Sequence, residues 1–94
     1  MHLFQLTEWQ GSSGKWYCAD KDNLTAQYPQ WMVAVRMLDI SPAGYAKMLI
    51  EDYNATVNYY ESTNFLSVSW NKQSDMRKYK NFINSKARQM NYMI

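Results

Sequence analysis

Residues 41–70 read SPAGYAKMLIEDYNATVNYYESTNFLSVSW, and a change of rhythm inside them decides the fold class. Ser41-Pro42 is a helix start with a mechanism: a hydroxyl to cap and a proline pre-set for the first turn. From there Tyr45, Ala46, Leu49, Ile50 and Tyr53 recur with helical spacing, and Lys47 and Glu51 lie opposite. Asn54 suits the exit. Beyond it the period drops to two. Thr56–Tyr60 and Phe65–Trp70 alternate across Ser62-Thr63-Asn64, with Leu66, Val68 and Trp70 on one face and Ser67 and Ser69 looking outward. A helix followed at once by a hairpin predicts segregated α+β architecture.

The flanking residues extend that pattern. On the N-terminal side, Phe4 and Leu6 alternate with Gln5 and Thr7, and Trp9 follows. Gly11-Ser12-Ser13-Gly14 then breaks the run before Lys15–Ala19, which predicts an earlier hairpin. Asp20–Gln27 reads as loop, with Asp20 and Asp22 as solvated acids, and Pro29 fits a first helical turn. Trp31–Leu38 is apolar except for Arg36, which suits a buried helix or a buried strand. Met32, Ala34, Met37 and Leu38 favour helix over Val33 and Val35. Ser74-Asp75 is expected to cap a final helix running to about Asn91. The order is ββααββα: one α+β domain over residues 1–94, two antiparallel hairpins packed with three helices.

Charge is unevenly placed. Residues 1–71 hold four basic side chains and seven acidic ones, net −3; residues 72–94 hold six basic and one acidic, net +5, giving the overall +2. Along the last helix Met76, Tyr79, Ile83, Ala87 and Met90 form one stripe for docking on the sheet. Arg77, Asn81, Asn84 and Arg88 fall opposite as a row of donors, with Lys78 beside them and Lys80 at the boundary. Lys86 lies nearer the apolar side and must snorkel. Arginine offers bidentate contacts to phosphate or carboxylate, and asparagine reads base edges or backbone amides. The expected binding surface is therefore Arg77, Lys78, Lys80, Asn81, Asn84 and Arg88. Tyr60 joins it as an exposed ring, because neighbours in a strand such as Tyr59 and Tyr60 face opposite ways.

Trp31–Tyr53, with a tight joint at Asp39-Ile40-Ser41, resembles a helix-turn-helix. The hairpin behind it extends the resemblance to winged-helix proteins over residues 31–70. Such a family would place the second helix in a DNA groove. Here that helix offers Lys47, Glu51 and Asp52, and the wing Tyr59–Asn64 carries Glu61 and no basic residue.

Catalytic constellations do not assemble. His2 and Cys18 are the sole imidazole and thiol, so neither a zinc site nor a nucleophile–base pair is expected. Gly11–Lys15 lacks the spacing of a phosphate loop and leads into a strand. Glu51 and Asp52 point about 100° apart on a helix and cannot share a ligand. No enzyme activity and no cofactor is expected.

No apolar run approaches the roughly 20 residues of a membrane span, and Met1–Gln10 lacks a signal pattern, so a cytoplasmic location is expected. Seven Met, eight Asn, eight Tyr and six Gln with few Gly and Pro suggest AT-rich coding. That habit points to a phage or mobile-element accessory protein. The expected role is a non-covalent inhibitor or regulator of a host protein or nucleoprotein complex, of the anti-CRISPR or anti-defence type. The alternative is a DNA- or RNA-binding regulator that uses the basic helix or the helix pair at 31–53. The aromatic share of 16% could also serve a homodimer.

Overall fold

The chain folds in the order β1 (Thr7–Gln10), β2 (Trp16–Ala19), α1 (Gln30–Leu38), α2 (Pro42–Tyr53), β3 (Thr56–Tyr60), β4 (Phe65–Ser69), α3 (Gln73–Met90). These elements come from a computed structural model that describes residues 2–23, 30–63 and 65–94. Two short 3₁₀ turns, Lys21–Asn23 and Glu61–Thr63, follow β2 and β3. The result is the α+β arrangement of two antiparallel hairpins and three helices. Pro29 and residues 24–27 of the expected loop lie outside the described residues.

In the first hairpin Trp9 pairs with Tyr17 and their rings stack at 5.5 Å. Gly14 turns the chain at φ +86, a left-handed conformation that glycine adopts without strain. The strand begins at Thr7, later than the alternation predicts. Phe4 and Leu6 are buried ahead of it, because their backbone groups find partners elsewhere: Phe4 N–H donates to Tyr92 O, and Leu6 pairs with a side chain of α3.

The Trp31–Leu38 run is helix, with Trp31, Val33, Ala34 and Met37 buried. At α2, Ser41 Oγ accepts from Gly44 N–H at 3.0 Å, Pro42 occupies the first turn, and Asn54 closes the helix at φ 55. Tyr45 and Leu49 are buried, but Ile50 is 51% exposed, so the buried face of α2 is narrower than its apolar spacing.

In the second hairpin Tyr59 pairs with Leu66 and Tyr60 with Phe65. Leu66 and Trp70 point inward as expected. Ser69 does too, against its expected outward position, as the buried partner of Thr56. Trp70 ties the architecture together. Its backbone exchanges both hydrogen bonds with Trp16, its indole N–H donates to Tyr53 O at 2.9 Å, and its ring stacks on Tyr79 at 5.3 Å.

Helix α3 starts at Gln73 after Lys72, with no side-chain cap. Ser74-Asp75 therefore lies inside the first turn; Asp75 accepts from Asn54 Nδ2 there and complements the helix dipole. Met76, Tyr79, Ile83 and Ala87 are buried against the remaining elements, while Met90, at the last helical position, is exposed. After Asn91 the chain pairs Ile94 with His2, both hydrogen bonds at 2.9 Å. Among the described residues no helix is long and apolar enough to cross a membrane.

Candidate functional site

The expected donor row of α3 is divided by what the first hairpin brings to it. Glu8 in β1 receives Arg77 Nε at 3.1 Å and the Arg77 terminal nitrogen at 2.9 Å. Lys80 Nζ approaches the same carboxylate at 2.9 Å and Gln73 Nε2 at 3.1 Å. Hydrogen bonds from Arg77, then Lys80, hold the Glu8 carboxyl down at about 2. Two cations thus share one anion, and the guanidinium fork faces an internal partner. That pairing was not visible in the sequence, since Glu8 lies 69 positions from Arg77.

Asn84 corrects the expectation most sharply. Placed on the exposed face by helical spacing, it is 9% exposed in the structure. Its Oδ1 accepts from Leu6 N–H at 2.8 Å and its Nδ2 donates to Leu6 O at 3.0 Å. One amide satisfies both backbone groups of a buried residue, which is why a polar side chain occupies the inner face. Lys78, Asn81 and Arg88 remain exposed, and Lys86 is half-buried as its position required. Lys78, Lys86 and Arg88 have no ion-pair partner among the described residues.

Tyr60 is exposed as expected, but not alone. Tyr59, Tyr60 and Phe65 are 55%, 52% and 47% exposed at the turn end of β3–β4, with the Tyr60 and Phe65 rings 6.2 Å apart. The contacts that hold β3 in the fold are chiefly with β4 and α2. Phe65 was missed as a site residue; its place directly across the turn from Tyr60 was the available signal.

The acidic loop also differs from expectation. Asp20 is buried, with Oδ2 accepting from Gln5 N–H and contacting His2 Nε2 at 2.8 Å, and Oδ1 accepting from Asp22 N–H. Ligand atoms of His2, Asp20 and Asp22 lie within 4.8 Å of one another. The Asp20 carboxylate already has internal partners on both oxygens, so it serves as a knot between the N-terminal segment and the end of β2. Burial pushes the Cys18 thiol up to about 12, which keeps it protonated and a poor nucleophile at neutral pH. The helix pair α1–α2 has the tight joint its sequence suggested, with Asp39 at φ 54. The exposed side of α2 carries Lys47, Ile50, Glu51 and Asp52, a poor match for phosphates.

No family model matches the chain, and neither the curated proteins nor the solved structures searched contain a match.

Proposed function

We propose that this protein acts by non-covalent binding, as a small inhibitor or regulator of a host protein or nucleoprotein complex. Its docking surface is the aromatic end of β3–β4. The observation that carries this reading is the exposure of Tyr59, Tyr60 and Phe65 together on a short, paired hairpin. Tyrosine and phenylalanine bring large, rigid contact area at low entropic cost, and such anchors dominate binding energy at protein interfaces. The pairing of Arg77 and Lys80 with Glu8 and the burial of Asn84 support the same choice, because they give half of the expected row internal partners. The composition of the chain supports a phage or mobile-element origin, and with it a host partner.

Affinity capture from a host lysate tests the reading with two double variants. A specific protein should co-purify with the native chain and with Lys78→Glu/Arg88→Glu, and be lost with Tyr59→Ser/Tyr60→Ser. Loss with the charge pair alone would overturn it. So would fluorescence anisotropy showing salt-dependent binding to short DNA or RNA that Arg88→Glu abolishes.

A further inference from the structure

The two hairpins meet at one backbone pair and then part. Trp16 and Trp70 exchange hydrogen bonds of 2.7 and 2.9 Å, and an antiparallel ladder continued from there would next join Cys18 to Val68. Among the described residues no backbone bond links β2 to β4 at that level. The parting opens a cavity of about 570 Å³. Cys18 of β2 and Leu66 and Val68 of β4 line it, and Trp31, Tyr45 and Tyr79 contribute from the three helices. Packed protein interiors leave few voids larger than a water molecule, whereas small-molecule sites run from roughly 300 to 1,000 Å³.

The wall has a definite chemistry. No charged side chain lines it among the described residues. Burial raises the Tyr45 and Tyr79 hydroxyls above the usual tyrosine range and the Cys18 thiol with them, so the wall stays neutral at physiological pH. Its polar groups are hydroxyls, indoles, the Cys18 thiol and the Gln30 side-chain amide. The Trp31 indole Nε1 is buried with no hydrogen-bond partner, which is uncommon in a folded protein and calls for an acceptor. The Tyr45 and Tyr79 hydroxyls lie 2.6 Å apart, and that contact uses one of their two hydrogens. An anion would find no cation here to offset its desolvation, and a cation no carboxylate.

We propose that the cavity between the hairpins binds a neutral, ring-bearing, largely apolar small molecule that carries a hydrogen-bond acceptor such as a carbonyl. The unpaired indole N–H of Trp31, closed off from solvent in this structure, turns to the ligand's acceptor on binding, with the tyrosine pair beside it. This site and the docking surface share Phe65, whereas Tyr59 and Tyr60 are not in the cavity wall.

Prodan, a neutral naphthalene bearing a carbonyl, is a direct probe. Titration should give saturable, one-to-one binding with blue-shifted emission, while naphthalene-2-sulfonate of similar size binds far more weakly. Val68→Trp, which fills the space, should lower prodan affinity by about tenfold or more in a variant that still melts cooperatively. Trp31→Phe should lower prodan affinity by about fivefold and leave 2-ethylnaphthalene, which lacks the carbonyl, unchanged. Should these variants fail to fold, the native chain suffices: saturation with prodan should shift the Trp31 indole N–H resonance. Tyr59→Ser/Tyr60→Ser should bind prodan normally, which separates failure of this site from failure of the docking reading. Non-saturable binding, equal affinity for the sulfonate, or an unmoved Trp31 indole resonance would overturn the proposal.

Discussion

The two hairpins have the same antiparallel topology and nearly the same length, yet the protein treats them differently. β1–β2 is fastened to α3 by polar groups: Glu8 to Arg77, Lys80 and Gln73, and the Leu6 backbone to Asn84. β3–β4 leaves Tyr59, Tyr60 and Phe65 in solvent at its turn. The same helix that looks like a binding element from its charge therefore acts in large part as an internal fastener, and the exposed aromatic rings gather on the other hairpin. Net charge on a segment says little about recognition until its partners within the fold are known.

Trp70 is where the contrast is most easily broken, because both hairpins lean on it. Trp70→Ala should cost about 3–5 kcal/mol, measured by urea denaturation, and should loosen both hairpins at once. Asn84→Ala should come next, at about 2–4 kcal/mol, since the Leu6 N–H and C=O would be left buried and unpaired. Its effect should fall on the first hairpin: amide exchange should accelerate in β1–β2 and remain near native in β3–β4. A loss well under 1 kcal/mol would mean that the amide is not a fastener.

Acidification probes the same hairpin more gently. The Glu8 carboxyl titrates near 2 in the fold against an ordinary value of 4.5. Its contribution is thus fully present above about pH 4.5 and is lost as pH falls towards 2. The melting-temperature advantage of the native chain over Glu8→Gln should shrink across that window and be constant above it. A difference that persists unchanged at pH 2 would show that the ion pairs do not hold β1 to α3.

The smallest effect on stability belongs to the second hairpin. Tyr59→Ser/Tyr60→Ser should change unfolding free energy by no more than about 0.5 kcal/mol per site, as for other exposed positions, while removing partner capture.

What the sequence revealed and what it hid divide along range. Ser41-Pro42 and Asn54 bound α2 because capping is decided within three or four residues. The Met76–Tyr79–Ile83–Ala87 stripe was visible because a helix has a fixed period. Asn84 sits beside Ile83 at the edge of that stripe, and helical spacing grouped it with Arg77 and Arg88 on the outer face; its partner is 78 positions away. Asp20 looked like a loop acid because the groups that bury it, His2 and Gln5, come from a segment that reaches it only in the folded chain. The cavity had no sequence signal at all, since it follows from where two hairpins diverge.

Photocrosslinking in cells locates the binding surface, with a benzophenone amino acid placed at position 60 on β3 or at position 81 on the exposed face of α3. A discrete protein adduct from position 60, with none from position 81, is the predicted result. A protein or nucleic-acid adduct from position 81 alone would return the binding surface to the basic helix.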